Sequence, residues 1–514
     1  MTERLESGPR RHLSPSMILI LALTLALLWL ILAPTVADPD LWGHLRYGLD
    51  NLAAGEVLRT DVYSYLTTPG TWVNHEWLAE VSIGLAYLAG RQAGLVALKL
   101  LLTFASLAAI YAAARERGAG VAAACVACLG TAAGLRPILG AVRPQMFTVL
   151  GFSLLLFVLT RRDRHPHVVW WLVPLYIMWT NAHGGFLAGV AFLGLAVIVE
   201  GFLGLQRAGS LRALLRGPFL PLAAAGLASL IATLVNPYGF GLWTFLLETA
   251  TVARPEIVEW QPLASFTTFS VFVGALAALG LWSLYRSSRP RSTLLLVIYV
   301  VSIVMTTVAV RHMLFFAIAW GVLHADHLDS AGSWMLRRFH PGKRSRRALA
   351  TGLAVTTLAV SVAAFAEPLS VEVPEKTYPV RAIELIKSHL PEGRLVVYFD
   401  WGQYALWHLG PDVQVSMDGR RETVYDERVY GKSLAMTFGY GDWDALLRHG
   451  EPDLVLVSKA HAAQNLMLLR PGWRLVYEDP ICGLFALDGS ALADELAQSL
   501  PPSIPYDGYG WRFP

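Results

Sequence analysis

Apolar runs of bilayer length alternate with short polar turns along most of the chain up to Ala366. About 20 consecutive apolar residues cross the hydrocarbon core, so the pattern predicts a bundle of about eleven membrane helices. They fall at residues 17–34, 94–114, 118–135, 144–160, 168–180, 185–205, 219–236, 267–286, 292–310, 312–325 and 348–366. Residues 35–90 follow a different rhythm. Asp38 suits an N-cap and Pro39 the first helical position, after which Leu41, Leu45, Leu49 and Leu52 share one face. Asp40, His44, Tyr47 and Asn51 line the other face, as in a helix lying flat in the membrane interface. Residues 76–89 predict a second such segment.

Beyond Ala366 the pattern becomes that of a soluble domain. Short apolar strands are expected at 395–399, 413–417 and 454–457, each ending in a polar residue, Asp400, Asp418 and Ser458. Helical stretches at 403–409 and 443–449 separate them, and 473–477 with 484–487 predicts a closing hairpin, together a small α/β domain. The divisions are a cytoplasmic N-terminus (1–16), a transmembrane domain (17–366, with 35–90 as its first outer loop), an extracytoplasmic α/β domain (367–500) and a tail (501–514).

Of 514 residues, 55% are hydrophobic and 15% charged, and the mean hydropathy is +0.47. The net charge of +3 is too small to point to nucleic acid. Where the positive residues sit matters more. Arg4, Arg10 and Arg11 precede the first span, and every second loop is basic: Arg115 and Arg117; Arg161, Arg162 and Arg164; Arg207, Arg212 and Arg216; Arg286, Arg289 and Arg291; then 337–347. By the positive-inside rule these lie in the cytoplasm, and the domain after Ala366 lies outside a cell inner or plasma membrane. The run 17–32 is long for a signal-peptide core, so a retained anchor is expected rather than a leader cleaved after Ala37. Cys125 and Cys128 sit on an apolar helix where small residues allow close packing, which leaves Cys482 as the cysteine expected to meet solvent.

The outer ends and loops collect Asp38, Asp40, His44, His75, Glu76, Arg136, Arg143, Asn181, His183, Glu256, Glu259, Arg311 and His312. Asp38 and Asp40 have the chemistry of a general base or of a divalent-ion site, while the bland account makes them an N-cap and a dipole partner. His44, one turn on from Asp40, faces the same way. Arg136, Arg143, Arg311 and His312 break the positive-inside pattern and ask for an anion such as a lipid phosphate, or else pair with Glu256 and Glu259. His75, Glu76, Asn181 and His183 suit substrate contact or interface anchoring. His324, Asp326, His327 and Asp329 have a metal-like composition but fall on the inner side, at a helix end where solvated charge is ordinary. For Asp418-Gly419-Arg420-Arg421, a turn with a surface salt bridge is favoured over acceptor contact.

Asp38-Pro39-Asp40-Leu41-Trp42-Gly43-His44, placed after a first span with a basic inner N-terminus, resembles the first outer loop of bacterial GT-C-like proteins. Many of those carry a second Trp where this chain has Gly43. The resemblance, over about residues 13–366 in architecture, implies a GT-C-like polytopic membrane glycosyltransferase using a polyprenyl-phosphate-linked sugar and a glycan, lipid or protein acceptor. It implies catalytic Asp38, Asp40 and His44, donor-phosphate contacts from Arg136, Arg143, Arg311 and His312, and substrate contacts from His75, Glu76, Asn181 and His183. Asp38 is the first choice of base, with Asp40 supporting. The sequence makes no cofactor certain, and a divalent metal on Asp38 and Asp40 stays open. The rivals are a transporter or lipid flippase, which would want polar groups near the midplane, and a noncatalytic scaffold displaying the C-terminal domain. The near absence of mid-span acids favours surface chemistry over carriage.

Overall fold

The computed structural model describes residues 14–67, 72–250, 252, 254, 257–336, 343–374, 376–499 and 513. Helix α1 (Pro15–Leu32) begins at Ser14, whose Oγ accepts the Met17 amide at 3.4 Å, and Pro15 takes the position where a missing N–H is harmless. Strand β1 (Thr35–Val36) follows, then the flat helix α2 (Pro39–Ala54), which stops at Gly55 in the left-handed region, φ 69°. Helix α3 (Trp77–Glu116) is broken at Gly90 and Arg91, where the backbone leaves helical geometry. The segment expected to lie flat and the span after it are therefore two rods.

The bundle continues through α4 (Val121–Leu139), α5 (Gln145–Arg161), α6 (Leu172–Ala182), α7 (Phe186–Ala208), α8 (Leu211–Leu214), α9 (Phe219–Ala232), α10 (Gly241–Ala250), α11 (Thr267–Arg286), α12 (Thr293–Val308), α13 (Met313–Leu336) and α14 (Lys343–Ala366). Among the described residues six helices are long and apolar enough to cross a membrane: α1, α3, α4, α7, α11 and the Arg347–Ala366 part of α14. α5, α9 and α12 are apolar but shorter. The chain is a multi-pass membrane protein.

Glycines let these helices close on large aromatics. A Cβ on Gly151 or Gly189 would lie 2.5 Å from the fully buried Trp179 ring, and one on Gly130 would lie 2.5 Å from Trp320. Cys125 and Cys128 are buried in the same packing, with Cys128 Sγ 3.5 Å from the Leu107 carbonyl. The cluster expected in a solvated position at a helix end lies instead within α13, and three of its members are buried: Asp326 pairs with Arg117 at 3.0 Å, His324 with Ser283 at 3.1 Å and His327 with Ser287 at 2.9 Å. Its polar groups face neighbouring helices, an orientation that composition alone does not reveal. The 337–342 part of the basic run, Glu256 and the tail apart from Phe513 lie outside the described residues.

The C-terminal region contains β2 (Val371–Glu372), α15 (Val380–His389), β3 (Gly393–Val397), α16 (Gly402–Leu409), β4 (Val413–Val415), α17 (Arg421–Val424), α18 (Glu427–Phe438), β5 (Leu454–Ser458), α19 (Ala462–Leu469), β6 (Trp473–Glu478), β7 (Cys482–Leu487) and α20 (Ala491–Gln498). Five strands form one sheet in the order β4-β3-β5-β7-β6. β4, β3 and β5 run parallel, and the β6–β7 hairpin closes it antiparallel. All of β5 is buried, as expected for a strand covered on both faces. Cys482, expected to meet solvent, is fully buried at the start of β7, because that strand lies second from the edge and packs into the core. β1 pairs in parallel with β2, Thr35 opposite Val371, which ties the first loop to the chain leaving α14.

Candidate active site

Asp38 caps α2: its Oδ1 accepts the amides of Asp40 and Leu41, both at 3.0 Å. Its other oxygen pairs with Arg143 Nε. Arg143 stands in the short turn between α4 and α5, and that turn is drawn to Asp38 because the Val36 amide of β1 donates to the Gly140 carbonyl at 2.9 Å. Arg143 Nη1 reaches Glu259 at 3.2 Å, and Glu259 also meets Arg311 at 3.6 Å. The Val310 amide donates to the Gln261 carbonyl at 3.1 Å, bringing those last two turns together, and the Arg311 guanidinium lies 4.2 Å above the Trp260 ring. Asp38, Arg143, Glu259 and Arg311 thus form one continuous ionic chain from four distant segments.

Asp40 sits beside this chain without being held by it. Its carboxylate is 3.8 Å from Arg143 Nη2 and 39% exposed. The protein around it strips enough water to push the carboxyl up to about 6, against the opposing pull of Arg143. Burial alone would lower His44. The hydrogen bond it donates from Nδ1 to Glu80 Oε1 (3.3 Å), together with the fields of Glu76, Glu80 and Asp40, overrides that and pushes it up to about 9, so it is cationic at neutral pH. Asn74 Nδ2 fixes the other Glu80 oxygen at 2.7 Å.

Glu76 lies 3.7 Å from His75 and 3.5 Å from His183. Burial works to raise its carboxyl, but His75, His183, His44 and Arg311 outweigh it and hold the group below the usual range. His183 is pushed down to about 4 by burial, despite Glu76. The Gly185 amide donates to His183 Nδ1 at 3.0 Å, so the ring's proton is assigned to Nε2, facing Glu76.

The C-terminal region closes over α2 through α16 and the turn that follows β4. Gln403 Oε1 accepts the Gly43 amide at 3.2 Å, and a Cβ on Gly419 would lie only 2.6 Å from Asp40 Oδ1. A Cβ on Gly43 would fall against Gln403 Oε1, so a side chain there would have to displace the end of Gln403. Next to this contact Asp418 takes Arg420 in a two-pronged grip, 2.9 and 2.7 Å, and Arg420 also reaches Asp61. The guanidinium lies about 5 Å from the rings of Tyr47, Tyr63 and Trp72. Burial would raise the Asp418 carboxyl, but Arg420 holds it below its ordinary value. The expected surface turn is thus a buried clamp, because the first loop supplies both the acid and the aromatic cage. β4 adds to it, its Val415 amide donating to the Tyr63 carbonyl at 2.9 Å.

Of the predicted residues, Asp38, Asp40, His44, His75, Glu76, Arg143, His183 and Arg311 gather here. Asn181 is committed to bracing: its amide donates to the Ile177 and Val235 carbonyls, both at 2.8 Å, and its Oδ1 accepts from Trp77. His312 turns away to the Met305 carbonyl at 3.0 Å. Arg136 stands instead in the field of Lys99, whose ammonium donates to the Pro34 carbonyl at 3.1 Å. Glu80, Lys99 and Gln403 were not singled out from sequence. Glu80 follows His44 by 36 residues, and the other two owe their place to tertiary packing.

No family model and no curated protein sequence matches the chain. Solved structures do match. The arabinofuranosyltransferase AftD from Mycobacteria superposes with a TM-score of 0.54 at 15% identity over 95% of this chain. This chain spans 41% of AftD's length. ArnT from Cupriavidus metallidurans in the apo state gives 0.57 at 16% identity, covering 94% of this chain and 99% of ArnT. The same enzyme bound to undecaprenyl phosphate gives 0.53 at 15%, covering 95% and 100%. The chain shares the fold of AftD and ArnT. In this fold the acidic start of α2 lies against α16 and the turn that follows β4.

Proposed function

We propose that the chain is a membrane glycosyltransferase that moves a sugar from a polyprenyl phosphate to an acceptor hydroxyl, with Asp40 as the general base. The observation that carries this reading is Asp40 itself: a partly open carboxylate whose proton affinity is raised to about 6, beside an ionic chain rich in arginine. Asp38 has one oxygen on two amides and the other on Arg143, so it fits the role of positioning α2 and Arg143. The base therefore passes from Asp38 to Asp40.

In the proposed reaction Asp40 takes the proton of the acceptor hydroxyl, whose oxygen attacks the anomeric carbon. The bond from that carbon to the phosphate oxygen breaks, and the lipid phosphate leaves with the electron pair. Arg143 and Arg311 face the growing charge, and one such donor is worth about 3–4 kcal/mol. His44, cationic between Glu80 and Asp40, fixes the polar face of α2. Among the described residues no three His, Cys, Asp or Glu side chains converge as metal ligands, and the steps run through Asp40 and the arginines. The undecaprenyl phosphate bound by ArnT supports the donor class.

We also assign about eleven spans, with residues 1–16 cytoplasmic and residues 367–500 an α/β domain outside, on the positive-inside pattern. The deciding experiment incubates the purified chain in nanodiscs with a panel of polyprenyl-phosphate sugars. Release of lipid phosphate or transfer to an added glycan supports the reading, and no turnover of any donor with any acceptor refutes it.

A further inference from the structure

The three parallel strands place their carboxyl ends on one edge: Tyr398 follows β3, Asp418 follows β4 and Ser458 ends β5. The chain runs from β3 to β4 on one side and then crosses to β5 on the other, so β3 and β5 flank a topological switch point. In open α/β sheets ligands enter there, outside the strand ends. A narrow crevice lies at this point, lined by the polar Tyr398, Ser433, Thr437, Ser458 and His461 and by six apolar residues of the sheet and its covering helices. Its volume, ≈ 10 Å³, holds about one water-sized group.

The rim has both polar and aromatic parts. Tyr398 donates its hydroxyl proton to Asp400 at 2.8 Å and accepts from His461 Nε2 at 3.1 Å. Asp400 is exposed. Phe438 is 53% exposed and stands edge-on to His461 with ring centroids 5.4 Å apart, and Tyr440, two residues on, is 52% exposed. Exposed aromatics beside a carboxylate, hydroxyls and a hole the size of one hydroxyl match a sugar ring: the apolar ring face lies on the aromatic while one hydroxyl enters the floor.

We propose that this crevice is a carbohydrate-binding subsite for a saccharide unit of the acceptor, separate from the Asp40 site but on the same edge of the sheet. The Asp418-Gly419 turn on that edge touches Asp40, so a glycan held at Phe438 could run along the edge toward the base. That the saccharide belongs to the acceptor rests on the transferase reading; that the crevice binds one does not.

Saturation-transfer NMR on the full chain in nanodiscs tests this with millimolar methyl α-D-glucopyranoside, methyl α-D-mannopyranoside and methyl β-D-galactopyranoside. At least one glycoside should receive saturation from the wild type. Phe438→Ala should weaken that binding roughly three- to tenfold, and Asp400→Asn and Tyr398→Phe should weaken it too. Because Tyr398→Phe removes a single hydroxyl, a folding fault in another variant does not decide the result. Asp40→Asn should leave binding unchanged, which separates this site from the transfer chemistry even if no donor is turned over. No saturation of any of the three glycosides, binding indifferent to all three crevice variants, or binding lost in Asp40→Asn would each overturn the proposal.

Discussion

Gly419→Ala adds one methyl group where the turn after β4 meets α2. The new Cβ would stand 2.6 Å from Asp40 Oδ1 and 2.5 Å from Gln403 Nε2. To regain ordinary contact, the carboxylate oxygen must retreat by roughly 0.8 Å. Both atoms end side chains, and the glycine's φ lies outside the left-handed region, so the backbone tolerates alanine. The stability cost should therefore fall at the low end of overpacking, about 1 kcal/mol. Transfer should suffer far more, because a displacement near 1 Å of a reacting group can lower the rate by about 10²-fold. Melting temperature in detergent and initial transfer rate measured on the same preparation separate the two effects. A Gly419→Ala protein with wild-type transfer would refute the claim that this contact positions the base.

Three other outcomes follow from the same geometry. Arg420→Ala leaves Asp418 buried without its partner, so the protein should lose about 3–5 kcal/mol of stability, read as a clear drop in melting temperature and faster proteolysis of the C-terminal region. The Asp418 carboxyl is held below its ordinary value, so its contribution is present above the unfolded pKa and fades as pH falls through the lower folded value; the melting temperature should drop on acidification, and less so in Arg420→Ala. The Asp40 carboxyl sits at about 6. It is protonated below that and free above, so the transfer rate should climb between about pH 5 and 7; a flat profile would count against Asp40.

The apolar runs made the membrane bundle legible, because bilayer thickness acts on local sequence. Strands 413–417 and 454–457 were readable for a similar reason: a short apolar run ending in a polar residue needs no knowledge of its neighbours. The site was half legible. Asp38, Asp40 and His44 sit in one helix whose cap and periodicity announce them, while Glu259 reaches Arg143 across 116 residues. Gln403 comes to Gly43 across 360 residues, and no local pattern encodes that contact. Asn181 and His312 hydrogen-bond to backbone carbonyls, and in sequence a polar residue at a helix end looks the same whether it faces a cleft or braces the backbone. Asp418-Gly419-Arg420 looks like an exposed turn until the cage of Tyr47, Tyr63 and Trp72 is placed around it.

The central claim is that Asp40, held by its surroundings at a useful proton affinity, removes the acceptor proton. Its most direct test compares Asp40→Asn with Asp38→Asn in a transfer assay with a donor that the wild type turns over. Asn caps helices as well as Asp does, so both variants should fold. Asp40→Asn should lower transfer by about 10² or more, the scale for losing a general base, at an unchanged melting temperature. Asp38→Asn should lower it less, through the weakened hold on Arg143. Full transfer by Asp40→Asn would contradict the account, and if Asp38→Asn were the inactive one, the base would be Asp38.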